Sequence, residues 1–459
     1  MDVDFPASRV DFRGTLVSTG RRGGQDVIIA HGGAPTAVPL TGGQMVGALT
    51  VFPASYENML VWERVLAPQR KLVAINGRGP ASGFGAGNRI VLAAADLAHL
   101  ADQTTFGGWD GIHAALTRSA VPFWYIQQSI VRELIPEGVD PHAYPGIGHT
   151  GGYGPREFLR AGLFAYASLG GYAAGVPPIG ADADHAIVVG YDEESLAASL
   201  AFNKLAMTEA RDYTKFTVDT SHLFNFPVQL SAADEKRVAS VFASKRFAVA
   251  NVLPDRPAYA FRYTHDEALA LARTYWKAAA VHKELYDHAA RVTDGRPFDY
   301  ELSLDETPQE TPPSHLFFYM MLLHEVMGLP SGGVASAGPN IGFIKRHDYE
   351  GDIDRQLWPQ VNACASILKH FGAMLSVHSA DGVRAATGKG PGVDAALRSA
   401  SGGPAGVGGA AQVAGHDRAG RAREGEIGAG GEQRHQQAGA QGRPGHQELL
   451  DEIGGWHLR

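Results

Sequence analysis

Along most of the chain, short apolar segments ending in polar or acidic residues alternate with longer runs in which apolar side chains recur every three to four positions. The short segments are "KLVAING" (71–77), "FWYIQQS" (123–129), "PPIGADA" (177–183), "KFTVDTS" (215–221), "YELSLDE" (300–306), "GGVASAG" (332–338) and "MLSVHSA" (374–380). Their length and β-branched or aromatic content predict strands. The longer runs, among them "PREFLRAGLFAYASLGGYAA", "EESLAASLAFNKLAMTEA", "THDEALALARTYWKAAAVHKELYDHAARV", "SHLFFYMMLLHEVMG" and "RQLWPQVNACASILKHFG", have helical spacing. "THDEA" and "YDEES" add a capping residue followed by acids in the first turn. Strands alternating with helices predict an α/β fold of parallel strands joined by right-handed crossovers.

The polar ends of the strands then choose between two architectures. Gln127 and Gln128, Asp182 to His185, Asp219, Asp305 and Glu306, and His378 and Ser379 each close a different strand. An open doubly wound sheet concentrates its ligand groups at one switch point, whereas a barrel draws them from many strand ends. The expectation is therefore a (β/α)8 TIM-like barrel over residues 71–390, preceded by an extension over 1–70 in which "DVIIAHGG" and "MVGALTVF" read as strands.

Seven strands are found where eight are needed. The last should begin roughly 20–30 residues after "MLSVHSA", but residues 401–447 contain no aromatic residue and no leucine. Such a stretch cannot bury enough apolar surface to offset the entropy of ordering it. Residues 391–459 are thus expected to be a Gly/Ala-rich disordered tail. Two origins account for it: a natural tail, or a slip of the reading frame near residue 400 that replaced the final strand and helix. The slip accounts better for a loss that falls where the barrel still needs closing.

Bulk properties narrow the class. With 459 residues, 44% hydrophobic, 19% charged and a net charge of −8, the chain has soluble composition and is too acidic for nucleic acid or anionic membrane to be its main partner. Its single cysteine, Cys364, excludes an intrachain disulfide, and from the acidic start and the short apolar runs neither a signal peptide nor a membrane-spanning segment is expected. A cytoplasmic location is expected.

"GADADH" (180–185) holds the densest chemistry. Asp182 and Asp184 lie two apart and share a face of an extended strand, while His185 points the other way or begins a turn. Carboxylates with imidazole form a normal ligand set for Mn, Co, Ni or Zn; an acidic loop capping the next helix is the alternative. "ELSLDET" places Glu301, Asp305 and Glu306 around one strand, costly if buried unpaired. "FTVDTSH" adds Asp219 and "SVHSADG" adds His378. The glycine loop "GFGAGNR" has the spacing G-x-G-x-G through Gly83, Gly85 and Gly87, which is not the dinucleotide pattern. "LLHEVMG" lacks the second histidine of H-E-x-x-H, and Cys364 sits in an apolar helix.

Taken in order and spacing, "WYIQQSIVREL", "GADADH", "YTKFTVDTS", "YELSLDET" and "MLSVHSADG" resemble the tagaturonate epimerase family over roughly residues 70–382. "GFGAGNR" and "IKRHDYEGD" are similar to two further segments of that family. The resemblance implies a divalent-metal-dependent TIM-barrel epimerase of hexuronate catabolism that acts on tagaturonate and fructuronate. Departures are an extra Val131 before Arg132, Asn88 in place of an aspartate, and "AGPNIGF" without the family's arginine, which leaves neutral ketoses open as substrates.

The epimerised carbon lies β to the ketone, so its C–H is not acidified by that carbonyl. Inversion by breaking and remaking the intervening C–C bond needs a Lewis acid and an acid/base group. On that basis His185, Asp219, Glu306 and His378 are expected to hold the metal, and Asp184 and Asp305 to carry protons. Gln127, Gln128, Arg132, Asp182, Lys345 and Ser379 are expected to bind a small sugar or sugar acid. A metal-dependent aldolase, an aldose–ketose isomerase and an inactive sugar-binding barrel are the competing readings.

Overall fold

The computed structural model describes residues 2–32, 35–75, 84–85, 105–133, 153–342 and 349–378. Strands β1 (Val3–Phe12), β2 (Thr15–Arg22), β3 (Gln25–His31), β4 (Gln44–Val46) and β5 (Leu49–Pro53) form an antiparallel sheet in the order β1-β2-β3-β5-β4. Its first two hairpins turn through Arg13-Gly14 and Gly23-Gly24, all four with positive φ. That backbone matches the twist of the strands it joins. The sheet packs on the helix Pro155–Ser168: Thr19 Oγ1 meets Ser168 Oγ at 2.8 Å, and Arg160 pairs with Asp26 at 3.0 Å. The expected N-terminal extension is thus a sheet of its own, with its own hydrogen-bond ladder.

The second sheet is parallel throughout. Strands β6 (Phe84–Gly85), β7 (Phe123–Ser129), β8 (Ile179–Ile187) and β9 (Lys215–Asp219) enter first. A small antiparallel ribbon, β10 (Arg246–Val249) with β11 (Tyr259–Arg262), intervenes. Strands β12 (Asp299–Leu304), β13 (Ser336–Pro339) and β14 (Met374–Leu375) complete the sheet. The order β14-β13-β12-β9-β8-β7-β6 is strictly sequential. A doubly wound sheet would reverse its order at a switch point, and none occurs here. The structure gives an α/β fold with a seven-stranded parallel sheet, and among the described residues no pairing joins β6 to β14. The tail over 391–459 lies outside the described residues.

Helices form where capping and periodicity coincide. His265–Val292 starts at a capping box: Thr264 accepts from the Glu267 amide, and Glu267 accepts from that of Thr264. Asp192 and Ser195 do the same for Glu193–Glu209. The apolar runs near 313 and 353 become helices with π-helical turns, Leu322–Val326 after Pro313–Met321 and Ile353–Leu357 before Trp358–His370.

One strand expectation is corrected. In "KLVAING" only Leu72 makes a bridge, to Ile179 at the start of β8, while Ile75 N donates to Asp299 Oδ2 at 2.9 Å. The segment ties the N-terminal ends of β8 and β12 together and extends no ladder; residues 76 and 77 lie outside the described residues.

Helix-on-sheet packing is tight at Gly162, where a Cβ would stand 2.4 Å from Ile126 Cγ1 of β7. Alanine there gains about 1 kcal/mol of helix propensity but must displace a fully buried strand side chain, which costs about 1–3 kcal/mol. Gly162→Ala is expected to lower the denaturant midpoint, and combining it with Ile126→Ala, which opens that space, to cost less than the sum of the two single changes.

Candidate active site

Strands of a parallel sheet covered on both faces normally read as continuous apolar runs. Here one face of β8, β9 and β12 carries charge instead. Along β8 the residues Gly180, Asp182 and Asp184 share that face, while Ala181 and Ala183 are buried on the other. On β9 the matching set is Lys215, Thr217 and Asp219; on β12 it is Asp299, Glu301 and Ser303. Strand register brings Asp182 beside Lys215, and Glu301 beside both Thr217 and Ser336.

The lower layer is an ion triad. Lys215 Nζ lies 3.0 Å from Asp182 Oδ2 and 3.2 Å from Glu301 Oε2, and 4.0 Å over the Trp124 ring. Thr217 donates to the other oxygen of Asp182 at 3.1 Å. All three charged side chains are buried. Burial pushes the Asp182 carboxyl up to about 7 against the pull of Lys215. Burial also opposes the Lys215 and Glu301 charges, but their mutual attraction prevails, so the ammonium is raised and the carboxyl lowered.

The upper layer holds the imidazoles. The register of β8 against β9 shifts by one residue between Ala183 and Ala186, and His185 within that bulge has φ 54°. In an uninterrupted strand His185 would point away from Asp184; the bulge removes that alternation. Its Nδ1 stands 3.0 Å from Asp184 Oδ1, and its buried Nε2 has no hydrogen-bond partner among the described residues. His378, just beyond β14, is held at both nitrogens: Nε2 by Glu301 at 3.0 Å and Nδ1 by Asp305 at 2.9 Å. Ser303 Oγ donates to the same Asp305 oxygen at 2.9 Å. Gly338 of β13 makes room for the ring, since a Cβ there would stand 2.8 Å from His378 Nε2.

The two rings, far apart in sequence, are 6.1 Å apart centre to centre. Four strand steps separate β8 from β14, a span of about 19 Å across a flat sheet, so the sheet is strongly curled. Donor atoms of His185, Asp305 and His378 all lie within 4.8 Å of one another. Ligands bound at about 2.1 Å and a right angle are about 3 Å apart, the spacing of His378 Nδ1 and Asp305 Oδ1. Each ring also presents one nitrogen to a supporting carboxylate, Asp184 or Glu301, the arrangement that fixes tautomer and orientation at metal-bound histidines. The donor set therefore suits a borderline divalent cation, and acids outnumber bases in the cluster even when both rings are protonated.

Protonation follows from these contacts. Burial disfavours the imidazolium of His185, yet Asp184 raises it to about 9, while Asp184 itself is held near 2 against the same burial. Asp305, opposed by burial, is lowered to about 2 by His378, whose own ring is raised well above its usual range. Asp219 differs. Its Oδ1 accepts from the Ser221 amide and hydroxyl at 2.8 and 2.6 Å, its Oδ2 has no partner among the described residues, and burial raises its carboxyl.

Of the residues expected from sequence, Asp182, Asp184, His185, Asp219, Asp305 and His378 converge. Asp219 and Glu306 stand outside the close donor set, which includes Asp305 instead. Gln127 sits beside Asp182, and its buried Oε1 is unpartnered among the described residues. Gln128 turns the other way, accepts from Tyr213 at 2.9 Å and donates to the Tyr153 carbonyl at 2.6 Å. The Arg132 side chain, Lys345 and Ser379 lie outside the described residues. Lys215 was not anticipated, although a lysine two and four positions before Thr217 and Asp219 on a buried strand is a legible signal; Glu301 was noted only as one of three acids.

The family model described as UxaE, tagaturonate epimerase, matches residues 163–382, in agreement with the motif resemblance. Crystal structures of fructuronate-tagaturonate epimerase UxaE from Cohnella laeviribosi share the fold. The two-glycerol complex is 23% identical with a TM-score of 0.55, and covers 83% of this chain and 68% of that one. The native form is 22% identical with a TM-score of 0.54 over the same shares. The one-glycerol complex is 24% identical with a TM-score of 0.54, covering 83% and 67%. Curated protein sequences yield no match. No described helix is long and apolar enough to cross a membrane.

The left-handed backbone at His185 gives a test independent of function. His185→Gly relieves the strain and His185→Ala does not, so the glycine variant is expected to be the more stable by about 1 kcal/mol in urea titrations. Equal midpoints would mean that the bulge relaxes.

Proposed function

We propose that this chain is a carbohydrate epimerase, an isomerase that interconverts tagaturonate and fructuronate or the corresponding neutral ketoses, working in the cytoplasm with a divalent ion, Mn, Co, Ni or Zn. The observation that carries this reading is the convergence of His185, Asp305 and His378, with His185 Nε2 buried and unpartnered among the described residues. The strict sequence order of the parallel strands and the curl between β8 and β14 support a TIM-like barrel with its site at the C-terminal strand ends.

Bound by His185, Asp305 and His378, the ion would supply Lewis-acid polarisation of the ketone and the neighbouring hydroxyl. The chain's own groups handle protons and orientation. The hydroxyl on the carbon to be inverted gives up its proton as the adjacent C–C bond breaks, leaving an aldehyde on one fragment and, on the ketone fragment, an enediolate that holds the electron pair of the broken bond. After the aldehyde fragment rotates, the same bond re-forms on its other face and the proton returns. Asp219 suits this exchange, with one oxygen fixed by Ser221, the other without a partner among the described residues, and a carboxyl pKa raised by burial. Asp184 and Asp305 are held as carboxylates against imidazoles, which suits them to orient. Gln127 can donate to and accept from sugar hydroxyls. Asp182, wholly buried below, acts through the ion triad.

Product analysis by NMR with Mn, Co, Ni or Zn added to chelator-treated protein tests the assignment, with tagaturonate and tagatose in parallel. Epimer formation is expected, and His185→Ala or His378→Ala should reduce it by at least about 100-fold. Accumulation of three-carbon fragments without the epimer would point to an aldolase, and an aldose product to an isomerase of the other kind.

Metal uptake should also depend on pH in a defined direction. In the ion-free protein His185 holds a proton up to about pH 9, and a metal must displace it. Affinity is therefore expected to weaken as pH falls below 9, by about tenfold per unit for each proton displaced. Calorimetry in buffers of different ionisation enthalpy measures that release; proton-independent binding would contradict it.

A further inference from the structure

We infer that Lys215 is a positioning residue for the ion site, a single buried ammonium that sets the separation of its two imidazoles. The inference deepens the ion-site reading above and rests on it. Lys215 touches no atom of the donor set. It bridges the two structural arms that carry the rings. Through Glu301, 3.2 Å away, it reaches Nε2 of His378 at the next contact of 3.0 Å. Through Asp182, 3.0 Å away, it fastens β8 just before the bulge at His185.

Alternative purposes for this lysine are weaker. Its side chain is only 4% exposed and lies beneath the imidazole layer, so it cannot greet a substrate. As a plain structural residue it is a poor choice, because an apolar side chain filling the same layer would avoid the desolvation of three ions. What an apolar residue could not do is hold the Glu301 side chain in place. Lys215 fixes its Oε2, and its Oε1 meets Nε2 of His378 at 3.0 Å, which leaves Nδ1 toward the ion and fixes the plane of the ring. Ser336 donates to the same Glu301 oxygen that faces Lys215, so that carboxylate has one orientation. The face of Trp124 at 4.0 Å closes the remaining side of the ammonium and prevents it from moving away from both acids.

The test is a double-mutant cycle on the full chain, read by Co binding. Lys215→Met and Glu301→Gln are each expected to weaken Co affinity about 10- to 100-fold. Combined, they should do no more than the larger single effect, because both act through His378. Unchanged affinity in Lys215→Met, or losses that multiply in the double variant, would overturn the inference. If Lys215→Met does not fold, Lys215→Met with Asp182→Asn removes the acid left unpaired and is judged by the same criteria. Nitrogen-15 shifts of His378 in ion-free protein separate this idea from the reading it rests on. A wild type that takes up no cobalt ends the ion-site reading, while the shifts still decide on Lys215. A changed Nε2 shift in the lysine variant, reporting a disturbed contact with Glu301, supports the inference, and an unaltered ring refutes it.

Discussion

The charged interior of the sheet depends on one pairing, that of Lys215 with Asp182 and Glu301. Carboxylates on a strand covered on both sides are tolerated only if something cationic is buried with them. The ammonium satisfies that condition for the lower layer, and both acids remain close enough to the upper layer to shape it. Glu301 does so directly at His378; Asp182 does so by fixing the strand on which Asp184 and His185 stand.

A second constraint is geometric. Residues four strands apart meet only if the sheet curls, and adjacent residues of one strand face the same way only if its alternation is broken. The one-residue bulge in β8 accomplishes the second, with His185 held at φ 54°, and the missing side chain at Gly338 leaves space for the ring arriving from β14. Strain in one strand and an absent Cβ in another thus serve one cluster. Neither feature contributes to stability, and each is explained by the convergence it permits.

Much of this was legible in the sequence. Period-two and period-3.6 patterns located β7 to its ends and most helices nearly so, because those segments are long and buried on a definite face. The polar strand ends pointed to one side of the sheet, and the pairing of His185 with His378 followed from parallel strands in sequence order. Three things were not legible. "KLVAING" has strand composition yet bridges only at Leu72, since its partners are strand ends and not a free edge. The bulge adds no residue type that marks it. The division of labour between Asp219 and Asp305 depends on hydrogen bonds from Ser221 and His378, which sequence spacing does not reveal.

The acids around the imidazoles clarify why the two layers are needed together. Asp184 and Asp305 are strong partners for protonated rings, and in the ion-free protein they hold those rings as imidazolium. On the proposed reading a divalent cation would replace those protons, exchanging two single charges for one double charge. The lower triad lies outside that exchange, because Lys215 pairs with Asp182 and Glu301 and with neither ring.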